Sequence, residues 1–400
     1  MSRAQLIAMA RENMAHVQAG SINQEPDVLR VPASNYFDAT RWQAEMKAVF
    51  KRMPLMLAMS CELPKPGDFK TMNVANVPLL LVRQEDGSIR ALINSCSHRG
   101  AVIELETHGN AKRFTCPYHA WTYNAGGDLI AVYVENDFGA IDKTCNGLTR
   151  LPIAERAGMI WVSLDPKSVL DIDAFLCGYD GLLDNFGFKD WYLFSRRTIP
   201  GPNWKIAYDG YMDLYHLPIL HKNTFGPNMS NRAIYSAFGP HQRVSSPDPG
   251  LLSISNVPES EWSTERLMGG VWTIFPHISI ASFDGGGPSV MLSQLFPGNS
   301  PQESFTVQSY LMKNPPVDDA ARESATKQFD MLEYVVREED YATGLRQQGA
   351  LISGAKEFVM FGRNEGGGHR FHKWVDTLIA TADADLPKLF AKQETVSNGK

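Results

Sequence analysis

Hydrophobic and polar positions divide the chain into three stretches with different periodicities. Residues 1 to about 54 carry apolar residues at helical spacing, most clearly over 4–18 and 40–52. From about 55 to 165, short apolar runs alternate with turn residues, as strands do. From 166 to 400, strand and helix patterns are mixed. We therefore predict an α+β protein, with an all-β domain (55–165) inserted between an N-terminal helical segment (1–54) and the rest of a larger domain (166–400).

Individual elements can be placed within these stretches. Asp86-Gly87 separates two apolar runs, 79–82 and 89–93, and predicts a hairpin. Further strands are predicted at 114–115, 120–123, 129–132, 159–162, 271–283 and 290–296. After Pro315-Pro316, the composition predicts a long helix from about 318 to 348. Its apolar stripe runs through Phe329, Leu332 and Val336.

Composition and charge narrow the function classes. The chain has 400 residues and a formal net charge of −6, so two domains are possible and nucleic acid or an anionic membrane is not expected as a partner. Five cysteines are present, and assigning two of them to a metal site leaves an odd number, which predicts no disulfide framework. No apolar run reaches membrane-spanning length, and no signal-peptide core follows Met1. We expect a soluble, cytoplasmic protein.

Two cysteine–histidine pairs carry the first chemical signal. Cys96-x-His98 and Cys116-x-x-His119 each lie where the chain turns back between predicted strands. Two thiolates and two imidazoles suit a Rieske [2Fe–2S] cluster, in which histidines replace cysteines on one iron. The alternative is structural zinc, but zinc sites usually take both cysteines from one loop and both histidines from another. One residue of each type from each loop favours the cluster.

A second group of metal-binding side chains runs from Asp209 to His221. On a helix, Asp209, Asp213 and His216 would share a face, because they are spaced by four and three. Pro218 is expected to break that helix, which lets His221 turn back toward the same point. Two histidines beside carboxylates predict the 2-His-1-carboxylate site of non-haem Fe(II) oxygenases. The alternative is a surface histidine and a core histidine near unrelated acids.

The carboxylate ligand is sought on the predicted long helix. Extending its apolar stripe by one turn leads to Asp340, whereas Glu338 points away and Glu339 lies well to the side. An acid on a buried stripe is costly unless it is paired or bound to metal. Asp340 is therefore the best candidate, and Glu333, which shares the stripe two turns earlier, competes with it.

The chain resembles the catalytic (alpha) subunit of Rieske non-haem iron oxygenases, the ring-hydroxylating dioxygenase family. The resemblance rests on two loop motifs and on the later histidines, and the motifs read Cys96-x-His98-Arg99-Gly100 and Cys116-Pro117-Tyr118-His119-Ala120-Trp121. It implies a Rieske domain at 55–165 and a catalytic domain of the helix-grip (START-like) type around it. Because the family's carboxylate ligand lies on a helix well past the two histidines, the resemblance favours Asp340.

The resemblance also implies roles for the acids before His216. Asp213 corresponds to the acid that bridges the first iron histidine to a Rieske histidine of the neighbouring subunit. Physically, a carboxylate can accept the free N–H of a metal-binding imidazole. Asp209 stands where many relatives carry Asn, so its role is open.

The implied activity is that of a terminal oxygenase. Electrons enter the Rieske cluster and pass to a mononuclear Fe(II), which activates O₂ to hydroxylate a small organic molecule. The expected substrate is aromatic, as in aromatic hydrocarbon catabolism. The implied partners are a separate reductase, with or without a ferredoxin, that draws on NAD(P)H, and further copies of the chain in a homotrimer. A small beta subunit is possible within the family. No nucleotide-binding glycine motif is found in this chain.

Other functions remain as alternatives. Within the oxygenase class, mono-oxygenation or oxidative demethylation of a non-aromatic or alkylated substrate competes with ring dihydroxylation. A Rieske electron carrier needs only the all-β domain, whereas His216, His221 and Asp340 lie well beyond it. The last alternative is a binding protein stabilised by a structural zinc ion, which would contain neither iron nor sulfide.

Weaker expectations concern residues outside these motifs. His277 is expected to be a hydrogen-bonded core histidine, and His369 and His372 are expected on a mobile loop. Three basic residues are expected on a solvated loop, and the alternative is that they bind an acidic group of the substrate: Arg232, His241 and Arg243. An apolar pocket above the iron is predicted from Met212, Phe225, Met229, Ile274, Phe283, Leu292 and Leu345.

Overall fold

Three antiparallel sheets lie within residues 55–162 of the computed structural model, which describes residues 2–397. The five-stranded sheet has the order Arg150–Leu151, Ile89–Ile93, Val77–Arg83, Asp68–Val74, His108–Asn110. One three-stranded sheet has the order Ile153–Arg156, Met159–Val162, Leu55–Met59, and the other Arg113–Thr115, Thr122–Asn124, Leu129–Ala131. The predicted hairpin is confirmed, since Gly87 has a φ of +81° in the turn that joins two paired strands.

A seven-stranded antiparallel sheet dominates the rest of the chain. Its order is Tyr192–Gly201, Ser304–Met312, Ser289–Pro297, Ile278–Phe283, Val271–Ile274, His241–Ser245, Ile234–Phe238. A separate two-stranded sheet pairs Leu29–Pro32 with Phe358–Phe361. That pairing joins the N-terminal segment to the C-terminal part of the chain.

Helices occupy both ends of the chain and the segments between strands. The α-helices are Ser2–Ala19, Ala39–Glu45, Glu135–Phe138, Ile172–Leu176, Tyr179–Leu183, Trp204–Asp209, Leu217–Leu220, Thr264–Leu267, Asp319–Tyr334, Ala342–Ile352, Gly366–Ala380 and Leu386–Ser397. Short 3₁₀ turns are Ala33–Tyr36, Ser60–Glu62, Lys143–Cys145, Asp184–Phe186, Phe188–Asp190, Pro249–Ile254, Glu259–Glu261 and Asp383–Asp385. Two π-helical segments, Met46–Lys51 and Val335–Tyr341, continue the α-helices that precede them.

The predicted long helix is confirmed and contains one of these π segments. It runs without interruption from Asp319 to Ile352, and Val335–Tyr341 forms the wider turn in its middle. Phe329, Leu332 and Val336 are buried, as the apolar stripe predicts. No helix within residues 2–397 combines the length and the apolar composition needed to cross a bilayer.

The two largest hydrophobic clusters of the described residues position the chemistry. The smaller core contains Phe114, Trp121 and Tyr123 together with both cysteines of the loop motifs, Cys96 and Cys116. The larger core spans the seven-stranded sheet and its helices and also takes in the strands Leu55–Met59 and Met159–Val162. A hydrogen bond from Gln294 Nε2 to the Met56 carbonyl (2.9 Å) fixes that junction. The division of the chain at residues 55 and 165 stays a prediction.

Three local expectations are wrong. The helix Trp204–Asp209 ends at Asp209, so Asp209, Asp213 and His216 do not share one helical face. Pro218 does not break a helix but stands in the first turn of Leu217–Leu220, where a missing N–H costs nothing. His369 and His372 are buried in the helix Gly366–Ala380 rather than exposed on a loop.

Of the basic group, Arg232 lies in an irregular, partly exposed segment as predicted, whereas the other two residues do not. His241 and Arg243 are buried in the strand His241–Ser245. The Nε2 atom of His241 lies 2.9 Å from the Phe175 carbonyl, and the guanidinium of Arg243 donates to the Gly269 carbonyl. Both side chains therefore serve the core and do not offer a site for an acidic ligand.

Candidate metal centres

The two cysteine–histidine loops have the same backbone construction. The Cys96 N–H donates to the Ala101 carbonyl (2.8 Å), and the Cys116 N–H donates to the Trp121 carbonyl (2.8 Å). In each loop one residue with positive φ allows the tight return, Gly100 at +77° and Ala120 at +55°. Two equivalent loops thus present one cysteine and one histidine each.

Burial separates the two ligand types. Cys96 and Cys116 are buried, whereas His98 and His119 are half-buried, with ring centroids 4.6 Å apart. His98 stacks on Trp121 at 5.0 Å, and its buried Nδ1 has no hydrogen-bond partner within the described structure. The sulfur side therefore faces the smaller core and the imidazole side faces the surface.

The arrangement fits two metal ions better than one. The two cysteines lie together in the smaller core, and the two imidazoles lie together nearer the surface, so the side chains form one sulfur pair and one nitrogen pair. A single zinc ion needs four ligands around one point, whereas a two-iron cluster takes two protein ligands on each iron. The donor set of Cys96, His98, Cys116 and His119 therefore fits the cluster and counts against zinc.

Tyr123 supports the cysteine side of this site. Its hydroxyl lies 3.2 Å from Cys96 Sγ and accepts a hydrogen bond from the Ser97 N–H (3.0 Å). Burial, with the hydrogen bond to Cys96, raises the pKa of Tyr123 to about 12. The hydroxyl is therefore protonated at neutral pH and can donate to the sulfur, an interaction that tunes iron–sulfur potentials.

The second site brings together the three residues predicted from helical phase and from the resemblance. His216 and His221 flank the one-turn helix Leu217–Leu220 at its two ends. Within the described chain, a ligand atom from each of His216, His221 and Asp340 lies within 4.8 Å of the other two. The Asp340 Oδ1 atom is 3.2 Å from His221 Nε2 and 3.8 Å from His216 Nε2. Two imidazoles and one carboxylate at one point are the donor set of a non-haem Fe(II) site.

A carboxylate stands behind each imidazole. Asp213 Oδ1 lies 3.0 Å from His216 Nδ1, and Glu339 Oε2 lies 2.7 Å from His221 Nδ1. The Thr224 hydroxyl donates to the same Glu339 oxygen (2.9 Å). Each carboxylate accepts the Nδ1–H, so that the Nε2 lone pair of each ring is directed at the shared point.

Electrostatics follow from these contacts. Burial opposes protonation of His216, but the hydrogen bond and charge of Asp213, with the charge of Asp340, outweigh it and raise the pKa of His216. Burial likewise opposes protonation of His221, but Asp340 and then Glu339 raise the pKa of that ring. A bound cation competes with those protons, so the site is built to attract positive charge.

The long helix resolves the choice of carboxylate position, with one correction. Glu333 forms ion pairs with Arg197 and with Arg337 (2.6 Å). It does not contact either imidazole of the second site. Glu339 does not lie well to the side, as predicted, but contacts His221. The π segment causes the difference, because its wider turn changes the angle between successive residues. No signal in the sequence marked that turn.

A further buried network adjoins the site and was missed. Asp209 Oδ2 accepts a hydrogen bond from the Tyr36 hydroxyl (2.9 Å), and Asp209 Oδ1 lies 3.0 Å from His372 Nε2. Burial and the charge of Asp209 raise the pKa of Tyr36 well above its usual value. The periodic apolar residues Phe371, Trp374, Val375 and Leu378 were the signal that this segment is helical.

A cavity of about 340 Å³ opens onto the second site and is walled by the seven-stranded sheet and the long helix. His216, His221 and Asp340 line it. Of the seven apolar residues predicted for this pocket, Phe225, Met229 and Phe283 line it. The prediction is wrong for the other four, of which three are buried elsewhere and one is exposed: Met212, Ile274, Leu292 and Leu345.

Family models match two parts of the chain. Residues 53–145 match the Rieske [2Fe-2S] domain, and residues 188–381 match the ring hydroxylating alpha subunit (catalytic domain). The salicylate 5-hydroxylase large oxygenase component of Ralstonia sp is 31% identical over 297 residues, which cover 63% of this chain and 69% of the relative. The anthranilate 1,2-dioxygenase large subunit of Acinetobacter baylyi is 28% identical over 244 residues, covering 58% and 52%. The chain spans about half the length of several such relatives.

Solved structures share the fold at low sequence identity. The quaternary ammonium Rieske monooxygenase CntA with L-carnitine superposes with a TM-score of 0.74 at 21% identity, covering 88% of this chain and 97% of that one. Naphthalene 1,2-dioxygenase with indole gives a TM-score of 0.72 at 19% identity, covering 92% and 96%. With the domain matches and the salicylate 5-hydroxylase relative, these findings show that the chain belongs to the Rieske ring-hydroxylating oxygenase alpha-subunit family.

Proposed function

We propose that this chain is the terminal component of a Rieske oxygenase that hydroxylates an organic, aromatic substrate with O₂ and with electrons from a separate reductase or ferredoxin. One observation carries the proposal. His216, His221 and Asp340 converge at the wall of a largely apolar cavity, in a chain that also presents the paired cysteine–histidine loops. An electron carrier needs no such cavity.

Each residue has a role in this proposal. Cys96, His98, Cys116 and His119 would hold the [2Fe–2S] cluster, and His216, His221 and Asp340 would hold Fe(II). When bound, these groups supply electron storage and oxygen activation. Asp213 and Glu339 hold the Nδ1 protons of the two imidazoles and fix their tautomer and direction. The apolar walls orient the substrate and keep bulk water from the reacting carbon.

A head-to-tail homotrimer is proposed for electron delivery. Within the described residues, no hydrogen bond or ion pair links the two cysteine–histidine loops to the residues around His216. Exposed apolar side chains adjoin both centres: Tyr118 and Phe138 contact His119 and His98, and Tyr215 and Ile219 lie beside His216 along the chain. A heterologous contact that joins these two surfaces would close into a ring, and Asp213 would then face the neighbouring copy's imidazoles.

Labelled oxygen tests the activity directly. The purified, iron-loaded protein is supplied with a reductase and ¹⁸O₂ and offered a panel of aromatic compounds, alkylated acids, amines and sterols. Incorporation of label into a product is expected, two atoms for dihydroxylation and one for mono-oxygenation or demethylation. His221→Ala should abolish incorporation, whereas Glu338→Gln, an exposed acid on the same helix, should not. Iron-loaded protein that reduces normally yet labels no member of a broad panel would contradict the proposal.

A further inference from the structure

A row of polar side chains crosses the sheet at the floor of the cavity. Ser279, Ser293 and Gln308 lie on three adjacent strands, and the register pairs Ser279 with Ser293 and Ser293 with Gln308. Directly opposed residues of antiparallel strands project to the same face. All three line the cavity that holds His216 and His221, so the floor of this cavity is polar along one line.

Gln308 is the residue whose polar groups remain unused. Its side chain is 0% exposed, and neither Oε1 nor Nε2 has a hydrogen-bond partner of normal geometry among the described residues. The Tyr211 hydroxyl approaches Ser293, Tyr341 and Gln308 closely enough for weak hydrogen bonds, also outside normal geometry, and one hydroxyl can serve at most one of the two Gln308 groups. A buried amide group whose hydrogen bonds are not satisfied destabilises the folded protein. Retaining one in a ligand cavity indicates that a ligand satisfies it.

The remaining walls define what that ligand is. Most other lining residues are apolar, including Phe225, Phe283, Met291, Leu332 and Val336. Among the described residues that line the cavity, none is a lysine or an arginine. An anionic ligand would therefore be desolvated without a cationic side chain to pair with. At the metal end, the charge of a divalent ion would be offset by Asp213, Glu339 and Asp340, so that end would carry no net positive charge to attract the anion.

We propose that Gln308 is a specificity-determining residue that selects a substrate with an apolar, ring-sized body and one uncharged hydrogen-bonding group, such as a hydroxyl, a carbonyl or an amide. That group bonds to the Gln308 amide on the sheet floor, and the apolar body lies between the sheet and the long helix. The inference rests on the proposed function for its assumption that this cavity is the substrate site. It predicts poor binding of carboxylate substrates.

Equilibrium binding to the intact, metal-loaded protein, without reductase, tests the proposal. Two ligand pairs of matched shape are titrated by calorimetry: 4-methylphenol against 1,4-dimethylbenzene, and 4-methylbenzamide against 4-methylbenzoate. The wild-type protein should bind the amide roughly tenfold more tightly than the carboxylate. Gln308→Leu should reduce the ratio of phenol affinity to hydrocarbon affinity by roughly tenfold.

Gln294→Leu is the matched control. Gln294 is equally buried, neighbours Ser293 in the same strand and therefore faces the other side of the sheet, where it donates to the Met56 carbonyl. Its substitution should lower stability but leave the phenol-to-hydrocarbon ratio unchanged. An unchanged ratio in Gln308→Leu would mean that Gln308 bonds internally, to Tyr211 or a resident water, and would overturn the proposal.

The wild-type protein alone keeps the proposal falsifiable if Gln308→Leu does not fold. Carboxylate binding as tight as that of the amide would refute it without any variant. Because no turnover is measured, the result is independent of the oxygenase test. If the binding ratios are as expected but no product carries ¹⁸O, only the proposed function is rejected. If product is labelled but the binding ratios are not as expected, only the role of Gln308 is rejected.

Discussion

At the scale of single residues, the acids of the second site differ in which imidazole nitrogen they contact, Nε2 or Nδ1. Asp340 lies on the Nε2 side of both rings, whereas Glu339, its neighbour in sequence, lies on the Nδ1 side of His221. Adjacent acids therefore have different roles. Only Asp340 is placed to bind a metal ion shared by both histidines.

Substitution of three acids on the long helix should give three distinct results. Asp340→Ala should lose the mononuclear iron while the Rieske visible and EPR spectra remain. Glu339→Gln should weaken iron binding by roughly 10–100-fold, because it removes the carboxylate that orients His221. Glu333→Ala should retain iron, because it loses only its contacts to Arg197 and Arg337. Iron content after dialysis against a graded chelator measures all three.

The same series can show the assignment to be wrong. Retention of iron and turnover by Asp340→Ala, together with loss of both in Glu333→Ala, would mean that Glu333 is the carboxylate ligand. Equal loss in Asp340→Ala and Glu339→Gln would mean that the two acids do not divide the roles as their distances indicate.

His277 gives a residue-scale prediction about pH. It was expected to be hydrogen-bonded, but it lies in the turn between two strands, fully buried, and neither ring nitrogen has a partner in the described structure. Burial lowers the pKa of His277 to about 3. The unfolded chain takes up this proton near pH 6.5, so the free energy of unfolding should fall as the pH drops below about 6.5, at up to about 1.4 kcal/mol per pH unit.

In His277→Leu, the free energy of unfolding should therefore fall less steeply as the pH is lowered. Urea unfolding of wild type and variant between about pH 7 and pH 5 measures the two slopes. His241, whose pKa burial lowers to about 4, remains in both proteins and provides the residual slope. Parallel slopes in the two proteins would show that His277 is protonated equally in the folded and unfolded chain.

At the scale of elements, the sequence pattern located helices and strands but not the geometry within them. The apolar stripe of the long helix led to Asp340 on the correct face. It could not reveal the π turn that brings Glu339 to His221, because a π turn leaves no composition signature. The helix Leu217–Leu220 was missed because Pro218 reads equally well as a helix breaker and as a first-turn residue.

A buried ion pair joins the helix Ala39–Glu45 to the helix Trp204–Asp209. The Glu45 carboxylate receives hydrogen bonds from Lys205, from Trp204 Nε1 (3.0 Å) and from Arg41 Nε (2.8 Å). Glu45 and Lys205 are both 0% exposed. The N-terminal segment is therefore an integral part of the fold around the second site.

Breaking this pair should be costly. Lys205→Met should lower the free energy of unfolding by about 3 kcal/mol, because it leaves the buried Glu45 charge short of a partner. Lys327→Met, which breaks the exposed pair with Glu323, should cost less than about 1 kcal/mol. Denaturant unfolding of both variants checks the difference. Similar losses would mean that the Glu45 pair does not anchor the helix Ala39–Glu45.

At the scale of the whole molecule, sequence motifs were sufficient to predict the family and to propose ligands for the two candidate centres, because metal ligands are constrained in both type and spacing. Contacts between distant segments were not accessible in this way. Tyr36, Asp209 and His372 form one network although they come from three separate parts of the chain. Only the packing of the helix Gly366–Ala380 against the core brings them together.

The proposed assembly predicts the behaviour of Asp213 variants. Asp213 Oδ1 accepts hydrogen bonds from the Tyr215 and His216 N–H groups as well as facing His216 Nδ1. Asp213→Asn preserves an oxygen for the turn but removes the charge. Like Glu339→Gln, it should weaken iron binding, but with iron supplied in excess both metal centres should be filled, and electron transfer to the mononuclear iron should still be sharply slowed. Rapid-mixing measurement of cluster oxidation in the presence of substrate follows this step.

Glu338→Gln, which neutralises an exposed acid paired with Arg337, is the control and should transfer electrons at the wild-type rate. Light scattering should give the mass of a trimer for both variants. A fully active Asp213→Asn variant, or an active monomer, would rule out the bridge between copies.

The carboxylates around the two imidazoles also set the charge balance of the site. Asp213, Glu339 and Asp340 place three acidic groups around one point, and the two histidines bind metal in their neutral form. A divalent ion there leaves one negative charge uncompensated in a half-buried cavity. Small anions that compete for open coordination positions therefore meet repulsion, whereas a neutral molecule such as O₂ does not. The acids that orient the imidazoles thus also act as a charge filter for what reaches the metal.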